Sequence, residues 1–178
     1  MNRLKSVSTI KSVDGVLTWE HLEADHVTEY IVTLSNGENS YTYTTAQTSI
    51  DFGKVKDDLG NELVVGKYSV TIKAVGADFV SSLPLTSGNS FTKLGTVSGI
   101  KVIGNNIEWE AVENAQGYEL TFEWTQDEEI KTETKLVEGV CRCTLLEGLT
   151  GVFKITIRAV GVGDGTVFNG EISTYQSS

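Results

Sequence analysis

The sequence repeats itself, in the same order, in its two halves. The blocks VLTWE (16–20), YIVTL (30–34) and YSVTIKAVG (68–76) return as NIEWE (106–110), YELTF (118–122) and FKITIRAVG (153–161). The offsets between the copies are 90, 88 and 85 residues, so the copies differ in loop length but keep their order. Such a repeat predicts two similar units. Half of 178 residues is long enough for each unit to bury a core without a metal or a disulfide.

The repeated blocks alternate apolar and polar residues with a period of two, which predicts β-strands with one buried face and one solvated face. In the first copy of the last block the inward residues are Tyr68, Val70, Ile72 and Ala74. In the second copy they are Phe153, Ile155, Ile157 and Ala159, and the outward residues are Lys154, Thr156 and Arg158. The sequence therefore predicts an all-β, antiparallel chain.

Turn residues lie between the predicted strands. Asp14-Gly15, Asn36-Gly37 and Asp164-Gly165 are pairs that accept the positive φ of tight hairpin turns, so we expect a hairpin at each. Helical periodicity is weak everywhere. The best candidate is 54–63, where the first copy is longer than the second, and we expect a loop there with one helical turn.

The order of these features resembles the fibronectin type III and immunoglobulin-like β-sandwich repeats of the bacterial and bacteriophage surface type. The resemblance implies two tandem sandwich domains, residues 1–92 and 93–178, that meet at Lys93 with almost no linker. It places Trp19 and Trp109 in the two cores and makes Tyr68 a tyrosine corner, whose hydroxyl bonds the backbone a few residues upstream. The second copy has Phe153 at that position and lacks the hydroxyl.

Charge and hydropathy limit the partners. The net charge is -10, and both halves are acidic, so neither carries the basic stripe that nucleic acid or an anionic membrane requires. No apolar run is long enough to span a bilayer, and the N-terminus lacks the apolar segment of a signal peptide. We expect a protein or a glycan as partner, no membrane insertion, and possible self-association.

Candidate metal ligands are few. Cys141 and Cys143 lie two apart on a predicted strand, too far apart for an easy disulfide, and are interpreted as free, buried thiols. Two polar clusters are weaker alternatives for a cation: His21, Glu23, Asp25 and His26, and then Asp57, Asp58, Asn61 and Glu62. Neither has a recognised ligand spacing. We expect no metal and no cofactor.

No catalytic motif is present, and we expect a protein that is not an enzyme. The candidate binding residues are aromatic: Tyr41 and Tyr43 alternate with threonines on one face of a predicted strand, and Trp124 ends another strand. Such rings stack on sugars or anchor a protein partner. The alternative is that they cover the edge of a core.

The function expected first is that of an accessory virion protein of a bacteriophage, decorating the capsid or associated with the tail, at the virion surface. Unpaired cysteines, a methionine close to the first strand and the missing export signal favour it. The alternative is a spacer or a carbohydrate- or cell-surface-binding module of a secreted bacterial enzyme or adhesin, located outside the cell.

Overall fold

The computed structural model describes residues 1–149 and 151–178. Over these residues the chain is all-β apart from one 3-10 turn at Ala24–His26. The strands are β1 (Ser8–Val13), β2 (Val16–Glu20), β3 (Glu29–Ser35), β4 (Ser40–Thr45), β5 (Ser49–Ile50), β6 (Gly66–Val75), β7 (Leu85–Thr86), β8 (Phe91–Lys93), β9 (Lys101–Ile103), β10 (Asn106–Glu108), β11 (Gly117–Gln126), β12 (Glu129–Glu138), β13 (Arg142–Thr144), β14 (Phe153–Val160), β15 (Val167–Phe168) and β16 (Ser173–Gln176).

Each half is a sandwich of two antiparallel sheets. In the first half a three-stranded sheet, β1-β2-β5, faces a sheet in which β6 is flanked by β3 and β4 on one side and by β7 and β8 on the other. In the second half, β9-β10-β13 faces β12-β11-β14-β16. The repeated sequence blocks therefore occupy equivalent strands, which are the B, C and F strands of a sandwich domain.

The two cores are built alike around the repeated tryptophans. Trp19 packs edge-on against Tyr30 at 5.2 Å between ring centroids, and Trp109 packs against Tyr118 at 5.1 Å. Edge-to-face packing at this separation stabilises aromatic pairs beyond the burial of their surface. Both tryptophans lie in the cores, as the repeat predicted.

The tyrosine corner is present in the first half. The hydroxyl of Tyr68 donates a 2.8 Å hydrogen bond to the carbonyl of Val64, and burial raises the pKa of this phenol to about 12. Phe153 cannot make this bond in the second half, and it packs instead near Tyr175. This corner is therefore specific to one copy, as the sequence indicated.

The loop predicted over 54–63 is present, but its helical turn and the tight hairpin at Asp164-Gly165 are not. Residues 54–63 form a loop with turns and no helical segment, because a hydrogen-bonded turn around Asp57 occupies its centre. The pair Asp164-Gly165 does not close a tight hairpin. It lies in a longer excursion between β14 and β16, in which Asp164 accepts hydrogen bonds from the amide and hydroxyl of Thr166.

Candidate functional site

The most unusual feature of the molecule is a segment of the second half that packs into the first. We call residues 161–172, between β14 and β16, the join segment. It contains β15, which pairs in parallel with β8, so that Val167 lies opposite Thr92 and Phe168 opposite Lys93. The join segment thereby adds a strand to the larger sheet of the first half.

Phe168 is the anchor of the join segment. Its side chain is 0% exposed and belongs to the hydrophobic cluster of the first half. The ring stacks on Phe91 at 4.8 Å with an interplanar angle of 3°, and lies 4.8 Å from Phe52. The core of the first half is therefore completed by a residue that the second half supplies.

Backbone contacts hold the join segment against the β1–β2 hairpin as well. The amide of Ser12 donates to the carbonyl of Gly165 at 3.0 Å, and its hydroxyl donates to Val167 at 2.6 Å. The amide of Asn169 donates to the carbonyl of Gly15, also at 3.0 Å. These bonds satisfy main-chain groups that burial would otherwise leave unpaired.

Glycine is required where the two halves approach most closely. A Cβ built on Gly53 would lie 2.2 Å from the carbonyl oxygen of Gly170, and one on Gly170 would lie 2.3 Å from that of Gly95. Both obstacles are backbone atoms, which cannot rotate away as a side chain can. A larger residue at Gly53 would therefore push the halves apart, and one at Gly170 would displace the join segment from Gly95 of the same half.

An ion pair crosses the join beside these glycines. Arg158 on β14 donates from Nη1 to Asp51 of the first half at 2.7 and 2.9 Å, and from Nε to Glu119 at 2.9 Å. Burial alone would lower the pKa of Arg158, but the bonds and charges of the two carboxylates outweigh it and raise that pKa. The sequence placed Arg158 on a solvated face. That prediction was wrong because the first half covers this position.

A second ion pair involves Lys93, the last residue of β8. Lys93 is 1% exposed, and its Nζ lies 2.9 Å from Oε1 of Glu171 in the join segment. Burial lowers the pKa of Lys93, and Glu171 offsets part of that effect. The cost of removing both charges from water offsets most of their attraction, so such a pair contributes little net stability.

The join was not found from the sequence. The two copies match up to the AVG that ends the third block and then diverge. The available signal was the apolar pair Val167-Phe168, which stands among glycine, aspartate and asparagine in GDGTVFNG. A large apolar pair in so polar a stretch indicates a local packing partner, although not which one.

A second candidate site is a pocket around Tyr41. The cavity has a volume of about 390 Å³ and lies between β4 and the loop 54–65, lined by Asn39, Ser40, Tyr41, Asp57, Leu59, Asn61, Glu62 and Val64. Tyr41 is half-buried and packs edge-on against Tyr68, so one ring is fixed beside amide and carboxylate groups. A fixed aromatic ring beside such groups is suited to a polar ligand with an apolar face, such as a sugar.

Tyr43 does not extend this pocket. Its ring is 2% exposed and packs against Phe52, and burial, followed by the charge of Asp57, raises the pKa of its phenol. The predicted strand and the shared face of Tyr41 and Tyr43 are correct. Only Tyr41 remains a candidate for contact with a ligand, since Tyr43 is part of the core.

The strand order of each half identifies its architecture. A three-stranded A-B-E sheet facing a C′-C-F-G sheet occurs twice in the chain, with Trp19 on strand B of the first half and Trp109 directly after strand B of the second. The fold is that of two tandem fibronectin type III domains.

The chain is similar to solved structures at low sequence identity. The FN1–FN3 domains of chicken CNTN1 match over 99% of this chain and 67% of that chain, with 16% identity and a TM-score of 0.40. A two-domain fibronectin type III segment of chicken tenascin matches over 97% of this chain and 98% of that chain, with 15% identity and a TM-score of 0.39. No protein-family model matches the sequence, and no curated protein does.

The second sandwich domain carries Trp124, the third predicted aromatic site. It packs against the edge of that domain's core and lines a smaller cavity of about 170 Å³ with Glu123, Thr125, Ile130, Val152, Phe153, Lys154 and Gln176. Tyr41 and Trp124 lie in different domains and line separate cavities. The structure does not combine them into one site.

The cation candidates have structural contacts in this fold. His21 is bonded through Nε2 to the carbonyl of Lys5 and through Nδ1 to Tyr30, while His26 stacks on Phe79. Asp57 accepts hydrogen bonds from the amides of Leu59 and Asn61. Over residues 1–149 and 151–178, no three His, Cys, Asp or Glu side chains are grouped so as to hold a metal ion.

The two cysteines are free and half-buried against the second core. The thiol of Cys141 lies 3.7 Å from the hydroxyl of Tyr118, and burial raises the pKa of Cys143. A raised pKa keeps a thiol protonated and unreactive. In the part of the chain that the structure describes, no helix is long and apolar enough to cross a membrane.

Proposed function

We propose that this chain is a non-enzymatic structural and binding module in which two fibronectin type III domains are held at a fixed angle. Within that class we propose an accessory protein at the surface of a bacteriophage particle, on the capsid or the tail. The join carries the proposal. A module that only tethers other parts needs no docked junction, whereas one that presents a surface in a set orientation does.

The contacts at the join are of the kind that prevent hinge motion. Interfaces between domains of one chain are usually polar and permit relative movement unless they are large and hydrophobic. Here a fully buried aromatic ring, a parallel strand pair and the ion pair of Arg158 with Asp51 cross the boundary. We propose the division into domains near Lys93, with the join segment as the exception that binds the two together.

The cysteines agree with this assignment. Cys141 and Cys143 are unpaired, and the raised pKa of Cys143 keeps it inert. Unpaired, unreactive thiols are typical of proteins that fold in a reducing compartment. A virion component released by lysis folds in such a compartment, and this favours the phage assignment over a module of a secreted protein.

Rigidity is tested by small-angle scattering together with ¹⁵N relaxation. We expect one rotational correlation time for both domains of the wild type and a single distance distribution. The substitution Phe168→Ala should separate the two correlation times, while Phe153→Ala, at the opposite end of β14, should not. Independent tumbling of the domains in the wild type would contradict the proposal.

The location is tested separately. Antibodies raised against the purified chain should label intact phage particles from the producing cells in immunogold microscopy, at regular positions on capsid or tail. Label on the bacterial surface, with none on particles, would support the secreted alternative instead.

The second candidate function, a spacer or carbohydrate-binding module, is favoured by the Tyr41 pocket. Its fixed ring and nearby amide groups suit a glycan of the bacterial surface. A glycan array would test it with three proteins: wild type, Asn39→Ala in the exposed rim of the pocket, and Trp124→Ala as the control. Binding that Asn39→Ala weakens and Trp124→Ala leaves unchanged would establish this function.

A further inference from the structure

The second domain has a long edge strand that nothing in the described chain covers. Among the described residues, the ten-residue strand β12 pairs only with β11, and it is exposed along most of its length. The opposite edge of the same sheet, β16, has only four residues. An uncovered strand of this length presents a row of unpaired backbone groups, which is a template for pairing with another strand.

The first domain protects its corresponding edges. The amide of Asp58, in the loop 54–65, donates to the carbonyl of Thr42 on β4 at 3.2 Å, and the carboxylate of Asp58 accepts from Thr44 at 3.3 Å. At the other edge β15 covers β8. The corresponding loop of the second domain, 145–152, is shorter, and its described residues make no backbone hydrogen bond to β12.

The hairpin geometry shows which groups of β12 face the open edge. Asp127 and Glu128 both have positive φ, 52° and 63°, so they form a two-residue turn closed by the pair Gln126 and Glu129. In such a hairpin the closing pair exchanges both of its hydrogen bonds, and bonded and non-bonded pairs then alternate. The residues whose amide and carbonyl point to the open edge are therefore Ile130, Thr132, Thr134 and Leu136.

The charges of β12 are arranged so that one self-pairing is favourable. Glu129, Lys131, Glu133 and Lys135 alternate in sign along one face. In an antiparallel pair of two β12 strands centred on Thr132, Lys131 faces Glu133 of the second copy, and Glu129 faces Lys135. By symmetry this gives four opposite-charge pairs. Directly opposed charges of opposite sign stabilise a sheet, and like charges destabilise it.

Neighbouring registers are penalised or weaker. Centring the pair on Glu133 opposes that residue to itself and Lys131 to Lys135, and centring it on Lys131 produces the same conflict with the signs exchanged. A pair centred on Thr134 keeps only the contact of Glu133 with Lys135. The alternation of charge thus specifies both the partner, an identical strand, and its register.

We propose that β12 is a homodimerisation edge, at which two copies of the chain pair antiparallel about Thr132 and join their four-stranded sheets into one of eight. The exposed Ile130 is then covered beside Thr134 of the second copy. The interface is isologous, as expected for a two-fold dimer. It lies in the second domain, on a strand that takes no part in the join, so it is independent of the rigidity proposed above.

Sedimentation velocity in 150 mM salt tests the proposal with matched charge variants. The wild type should dimerise, whereas Lys131→Glu and Glu133→Lys should each weaken the dimer at least ~10-fold, because two attractive pairs become repulsive in each homodimer. An equimolar mixture of the two variants should restore dimers, since every opposed pair is then again of opposite sign. Restoration in the mixture also shows that both variants are folded.

A cysteine at position 132 tests the register. In this pairing Thr132 opposes itself at about 5.5 Å between Cα atoms, within disulfide reach, so Thr132→Cys should cross-link on oxidation. Two copies of residue 134 lie four residues apart along the strands, about 14 Å, so Thr134→Cys should not. A wild type that stays monomeric at ~200 µM, a mixture without recovery, or equal cross-linking at 134 would each overturn the proposal.

Discussion

Removing the ring of Phe168 should uncouple the two domains. The side chain is fully buried between Phe52 and Phe91, with both ring centroids at 4.8 Å. Replacing a buried phenylalanine by alanine costs about 3–5 kcal/mol through lost burial and the cavity left behind. Because the second domain supplies this ring to the core of the first, the substitution lowers the free energy that couples the unfolding of the two domains.

The size of the effect makes it measurable. At 1.4 kcal/mol for each factor of ten, a loss of 3 kcal/mol lowers the equilibrium constant for docking by about two orders of magnitude. The remaining contacts, the strand pair β8–β15 and the ion pair of Arg158 with Asp51, are partly hydrated once the ring is gone. We therefore expect both lower stability of the first domain and separate unfolding of the two.

Urea unfolding followed by tryptophan fluorescence provides the assay, because Trp19 reports on the first domain and Trp109 and Trp124 report on the second. The wild type should unfold in one transition, and Phe168→Ala in two, with the first domain losing about 3–4 kcal/mol. Phe153→Ala, which removes a half-buried ring at the far end of β14, should still unfold in a single transition, because the join is intact. A single transition in Phe168→Ala, within about 1 kcal/mol of wild type, would refute this account of the join.

Three further outcomes are expected. Asp51→Asn should lower the free energy of unfolding by about 2 kcal/mol, because Arg158 keeps its charge but loses its closest partner; a loss under ~0.5 kcal/mol would show the pair to be solvated. The folded pKa of Tyr68, about 12, lies above the unfolded value near 10. The contribution of Tyr68 to the free energy of unfolding is therefore complete below pH 10 and is lost as the pH rises through 12. Tyr68→Phe should reduce this alkaline loss of stability when chemical unfolding is measured over a series of pH values. The hydrogen bonds from Thr166 lower the pKa of Asp164 in the folded protein. Asp164 therefore adds to the free energy of unfolding above its unfolded pKa, and this stability is lost as the pH falls through the lower pKa of the folded state. Asp164→Asn should remove that part of the stability loss at acid pH. A free energy of unfolding that falls with acid as steeply as in the wild type would contradict this expectation.

Much of the fold was predictable because its signals are local. Period-two alternation assigned the inward faces of β6 and β14 correctly, and the tryptophan repeat located both cores. The tyrosine corner followed from Tyr68, since its hydrogen bond reaches only four residues upstream. Each of these features depends on residues close together along the chain.

The candidate sites were less predictable, since alternation shows which side of a strand a residue occupies and not what covers that side. Arg158 does point away from its own core, as predicted, but Asp51 lies there, 107 positions away in the sequence. Tyr43 shares the predicted face with Tyr41, yet one ring is buried and the other is half-exposed, because Phe52 packs against only the first.

By itself, the sequence determined two antiparallel sandwiches, their order along the chain and their cores, because burial of alternating apolar residues leaves few other solutions. Tertiary structure alone decided how the two domains are joined. Nothing in the sequence indicates that Phe168 packs against Phe91. The need for glycine at positions 53 and 170 is visible only in the folded structure, where two backbone segments meet. Contacts of this kind depend on the shapes of two folded surfaces, which exist only after each domain has formed.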